Sequence, residues 1–108
     1  MISQNNKLDF SPRIRVIQKI YGHLMNPEEQ ISYSKSQYKK FIKDVTEGTL
    51  ERKDLIEETI IKYLDKDINL EKTDKLLKII LFSAVFELIF KHDTPKNVVI
   101  SEYVKASE

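Results

Sequence analysis

Few side chains in this 108-residue chain could do chemistry. It has no cysteine, which removes disulfides and thiol nucleophiles. His23 and His92 are far apart in sequence and lack acidic residues at metal-ligand spacing, so no metal site is expected. Two glycines give no material for a phosphate-cradling loop. Glu87 lies inside a hydrophobic run, where burial could turn a carboxyl into a general acid. No second acid, histidine or nucleophile is placed to work with it, so a structural hydrogen-bonding role is the expectation. The chain is therefore read as a non-enzyme without cofactor. What remains is cationic. Residues 1–43 hold eight Lys/Arg against three acids, a balance of +5, while residues 44–108 hold ten against fourteen, a balance of −4. A basic front suits a polyanion site, although solvated lysines would give the same pattern.

The elements that must position these residues are helices. Ser11-Pro12 supplies an N-cap and a proline for the first turn. Ile14, Ile17, Tyr21 and Leu24 then recur at helical spacing with Ile20 alongside, and Asn26-Pro27 stops the run. Arg15, Lys19 and Gly22 fall on the opposite side, so a basic face backs an apolar one. Residues 26–32 read as a loop. A second helix is predicted from about Ser34 to Glu47, with Tyr38, Phe41, Ile42 and Val45 inward and Gly48 ending or bending it. A third is predicted over about Arg52–Leu64, with Leu55, Ile56, Thr59, Ile60 and Tyr63 on one side. From Leu76 to Phe90, twelve of fifteen residues are apolar. That run is shorter than the ~20 residues of a membrane span and reads as a helix buried among others. Thr94-Pro95 opens a last helix carrying Val98, Val99, Ile100, Tyr103, Val104 and Ala106. Met1 to Asp9 contain no apolar signal segment, so a cytoplasmic location is expected. The fold class is all-α, a bundle of about five helices in one domain over residues 1–108.

The order of motifs resembles the NusB family. Arg13-x-x-x-x-Gln18-x-Ile20-Tyr21 is similar to the family's opening helix. Phe41, Gly48 and Leu55-Ile56-Glu57 look like its next region. Leu81-x-x-Ala84-x-Phe86-Glu87-Leu88 resembles its L-R-x-A-x-Y-E-L signature, and Pro95-x-x-Val98-x-Ile100-x-Glu102-x-Val104 its P-x-x-V-x-I-N-E-x-V. The resemblance implies two small three-helix bundles and a role in transcription antitermination. The partners implied are boxA-type RNA, the ribosomal protein NusE and the RNA polymerase antitermination complex.

On that resemblance, Lys7, in a flexible basic arm over residues 1–10, together with Arg13, Arg15 and Lys19 are the candidate RNA contacts. Arg13 falls nearer the apolar face, but in the first turn, where its end is expected to escape to solvent. Tyr21, with Met25 one turn on, is a candidate partner contact, and Tyr21 could equally be core. Leu77 stands where the family often has an acid linked to NusE contact, and Phe82 where its signature has arginine. These two would form an apolar contact patch or extra core. Asp9-Phe10-Ser11 replaces the family's arginine run, and its last helix would lie beyond Glu108, so a missing final helix is expected. An alternative reading is a NusB-like interaction module that has lost RNA binding and oligomerises as a homodimer or higher species.

Overall fold

The computed structural model describes residues 11–63 and 69–107. Lys7 and the expected basic arm lie outside the described residues. Five α-helices follow one another: α1 (Pro12–Met25), α2 (Lys39–Glu51), α3 (Lys53–Tyr63), α4 (Lys75–Phe90) and α5 (Lys96–Ser107), with a short 3-10 turn at Leu70–Lys72. There is no strand among the described residues. None of their helices is long and apolar enough to cross a membrane.

The helix α4 is the axis of the packing, since α1, α2, α3 and α5 all lie against it. Its start is fixed by Asp74, whose Oδ2 accepts from the backbone N–H groups of Leu76 (3.0 Å) and Leu77 (3.3 Å). These donors have no partner inside the helix, and the cap supplies one. Around α4, Ile79, Ile80, Phe82 and Phe86 are buried and join Val16, Ile17, Ile20, Val45, Ile56, Ile60, Leu70, Val99 and Tyr103 in one core. Ser83 is tolerated in this setting because its hydroxyl donates to the Ile79 carbonyl one turn back, at 2.8 Å.

In α1 the buried stripe runs Arg13, Val16, Ile17, Ile20, a spacing of three, one and three that defines one helical face. The predicted stripe through Tyr21 and Leu24 is therefore corrected: Tyr21 is 42% and Leu24 36% exposed. The second helix starts at Lys39, later than predicted, and runs through Gly48 to Glu51. Gly48 neither ends nor bends it. Its missing side chain admits the ring of Phe86, whose atoms would overlap a Cβ built there. The last helix begins just after Pro95, whose carbonyl accepts from the N–H groups of Val98 and Val99. Only Val99 and Tyr103 of its apolar residues are buried, while Val98, Ile100 and Val104 stay exposed.

Candidate nucleic-acid interface

Arg13 is buried. Its Nε and Nη2 donate to the two carboxylate oxygens of Glu87 at 2.9 and 2.8 Å, and the Glu87 side chain is fully buried. The guanidinium lies over the rings of Phe41 (5.0 Å to the centroid) and Tyr103 (5.7 Å). A planar fork fits a carboxylate bidentately and stacks on aromatic faces, which an ammonium cannot do. Burial, and next the Glu87 carboxylate, push the Tyr103 hydroxyl far above its ordinary range, so it stays protonated. The expectation that Arg13 points outward is thus corrected. Position 13 falls on the core side of α1, at the start of the buried stripe, and the side chain spends its charge holding α1 to α4. Glu87 has the structural role expected of it, as an ion-pair acceptor.

Two other predicted cations, Arg15 and Lys19, meet one turn apart on a different face of α1. They form one wall of a cleft of about 350 Å³, which the segment 33–38 and the start of α2 complete. Tyr33, Lys35, Tyr38 and Lys39 line the opposite side, with Ser34, Ser36 and Gln37 between them. Lys19 Nζ sits 5.7 Å from the Tyr33 ring centroid. The Tyr33 hydroxyl points into the protein, where burial and the nearby Glu47 carboxylate raise it well above the normal tyrosine range. Tyr38 is 43% exposed. The segment is braced locally: Tyr38 N–H donates to Ser36 Oγ and Lys39 N–H to the Ser36 carbonyl.

No acid lines this cleft among the described residues. Nearby, Lys40 pairs with Asp44 at 2.7 Å, and Lys91 approaches the same carboxylate at 3.7 Å. Lys35 and Lys39 make no ion pair among the described residues. Four cations around two tyrosine rings can neutralise backbone phosphates and offer a base an aromatic face. The residues 33, 35, 38 and 39 were missed by the helical reading of 34–47. Their signal is present in Ser32-Tyr33-Ser34-Lys35-Ser36-Gln37-Tyr38-Lys39-Lys40, where basic and aromatic residues interleave.

The predicted partner-contact residues separate. Tyr21, Met25 and Leu77 are 42%, 53% and 52% exposed, and Lys75 Nζ lies 3.9 Å from Met25 Sδ, joining the end of α1 to the start of α4. Phe82 is 6% exposed and belongs to the core. The five-residue step from Leu77 turns it about 140° around the helix at ~100° per residue, so the two cannot share one outer patch. His23 is half-buried. No group of three or more metal-ligating side chains is assembled among the described residues.

The family model described as NusB family matches residues 5–108. The chain belongs to the NusB family. That family is non-enzymatic. Among curated relatives, the chain is 28% identical to the transcription antitermination protein NusB of Sphingopyxis alaskensis, over 89% of this chain and 76% of that one. It is 36% identical to the NusB of Thermodesulfovibrio yellowstonii, over 77% and 52% of the two chains, respectively. With the NusB of Pasteurella multocida the identity is 27%, over 100% of this chain and 83% of the other. The chain thus spans between about half and five-sixths of the length of these relatives. No solved structure matches it significantly.

Proposed function

We propose that this chain is a cytoplasmic transcription antitermination factor that holds boxA-type single-stranded RNA and pairs with NusE beside transcribing RNA polymerase. In this role it would regulate ribosomal RNA transcription. The observation that carries the RNA half is the cleft in which Arg15, Lys19, Lys35 and Lys39 stand with Tyr33 and Tyr38. Unpaired RNA is recognised by stacking and edge contacts, while cations meet its phosphates, and the cleft supplies both kinds of group. The names of the curated relatives supply the antitermination context. The exposed Tyr21, Met25 and Leu77 are the surface offered to NusE.

The test is a titration of boxA and scrambled RNAs, with and without NusE, at two salt concentrations. Preference for boxA that strengthens with NusE and weakens in salt is expected. Absence of binding to either RNA at low salt would sink the RNA reading.

A second reading is favoured by different residues. Leu55, Ile61 and Tyr63 on α3 and Val98, Ile100 and Val104 on α5 are large, apolar and exposed. Exposed apolar side chains in this number suit a self-associating interaction module. Sedimentation at increasing protein concentration separates the two, because a strictly monomeric, stable chain is incompatible with this second reading.

A further inference from the structure

A second concavity lies on the other side of α1 from the RNA cleft, and nothing above accounts for it. Ile20, Leu24, Leu50, Ile79 and Phe82 form the apolar floor of a groove of about 300 Å³. Lys53, Lys75 and Lys78 stand around it, and Glu71 is the one acid among its described lining residues. Two of these lysines are badly placed for helix stability. Lys53 opens α3 and Lys75 opens α4, where the positive end of a helix dipole disfavours a cation. None of the three makes an ion pair among the described residues. The groove therefore sets three lysines against one acid, among its described lining residues, around a hydrocarbon floor.

We propose that this groove receives a segment of a partner protein in which one apolar side chain is flanked by carboxylates. The floor takes the apolar anchor, and the lysines take the flanking acids. RNA fits less well, because Phe82, the single aromatic residue of the described floor, is buried and offers no stacking platform. A fatty acid fits less well too, since it brings one carboxylate to three lysines. Tyr21, Met25 and Leu77, the surface offered to NusE, are not among the described lining residues, so the groove is a separate recognition element. Met25 borders it through Lys75.

The probe is a phage-displayed library of short random peptides, selected in parallel on the wild-type chain and on the triple variant Lys53→Glu, Lys75→Glu, Lys78→Glu. Placing acids in two first helical turns favours those helices, so the variant is expected to fold, which thermal melting checks. On the wild type, enriched peptides should share a leucine, isoleucine, methionine or phenylalanine with Asp or Glu on either side. A synthetic peptide of the winning sequence should bind the triple variant about tenfold or more weakly and shift the methyl resonances of Leu24, Leu50 and Ile79. RNA affinity should persist in the triple variant, which leaves the Arg15–Lys19 cleft intact, so the two proposals fail independently. The groove proposal is overturned by a selection without an acidic–apolar consensus or by equal binding to the triple variant. It is also overturned if RNA rather than peptide moves the groove resonances, or if the reversal abolishes self-association of the chain.

Discussion

Cutting the ion pair between Arg13 and Glu87 tests how α1 is held and, through it, what the predicted RNA contacts do. The guanidinium meets both carboxylate oxygens at 2.8–2.9 Å, with 10% and 0% of the two side chains exposed. Arg13→Ala strands a carboxylate in a dry core, and removing one partner of such a pair costs about 3–5 kcal/mol. Loss of the contacts with Phe41 and Tyr103 adds about 0.5–2 kcal/mol. Against the ~5–15 kcal/mol that typically holds a domain together, the variant should be barely folded. At roughly 4–8 °C per kcal/mol for a domain near this size, Tm should fall by more than about 12 °C. Urea and thermal melts followed by far-UV circular dichroism give both quantities. The double variant Arg13→Met, Glu87→Leu removes both charges, keeps the bulk, and should recover most of the loss, because a buried pair adds little over well-packed apolar replacements. An Arg13→Ala cost under about 1 kcal/mol, or a double variant no better than the single, would refute the reasoning. The double variant also separates stability from binding. If it folds and keeps its RNA affinity, Arg13 acts on the fold; if it folds and loses that affinity, Arg13 touches RNA.

Other outcomes follow from the same packing. Gly48→Ala should destabilise by about 1–3 kcal/mol in urea unfolding, since the new Cβ overlaps the Phe86 ring and outweighs the helix preference for alanine. Asp74→Ala removes the cap of α4 and should cost about 0.5–2 kcal/mol by the same measurement. Tyr38→Ala should weaken RNA binding by about 1–3 kcal/mol, whereas Lys39→Ala should flatten the salt dependence by roughly 0.7 in log–log slope, both read by titration at several salt concentrations. The hydrogen bond from Lys40 holds the Asp44 carboxyl below its ordinary value, so its contribution is complete above the ordinary carboxylate range and fades as pH falls through the lowered pKa. Asp44→Asn should therefore lose stability near neutral pH and show a shallower acid limb in pH-dependent melts.

The fold was legible where local grammar and burial agree. Ser11-Pro12 and Asn26-Pro27 bracket α1 as predicted, and the apolar run of α4 announces a helix that every other helix packs against. Legibility failed where a long-range contact decides. Gly48 reads locally as a helix breaker, yet its role is set by a ring 38 residues away in sequence, which only the packed structure reveals. The start of α2 was placed too early because helical spacing of Tyr38, Phe41 and Ile42 extends naturally back into the polar stretch before it. That error hid the Tyr33–Lys39 side of the cleft, since a loop brings residues together that a helix would spread around its circumference. Arg13 was half legible: its angular position lies on the apolar side, but its acceptor, Glu87, is three helices further on, and sequence spacing carries no sign of that pairing. The spacing leaves Phe82 open between surface and core, and at 6% exposed it is core.

These corrections change how α1 works. It carries three tasks at different angles: Arg13, Val16, Ile17 and Ile20 face the core, Arg15 and Lys19 line the cleft, and Leu24 with Met25 leads to the lysine-rimmed groove. Arg15 and Lys19 form one wall of the cleft and both stand on α1, so their placement depends on what fixes that helix. That fixing point is the Arg13–Glu87 pair, two residues before Arg15 and six before Lys19. Loss of Arg13 would consequently abolish RNA binding in a simple affinity screen even though the side chain faces inward, and would be misread as loss of a phosphate contact. A change in the salt slope separates the two cases. A lost phosphate contact lowers the slope, whereas a smaller folded fraction lowers apparent affinity equally at every salt concentration.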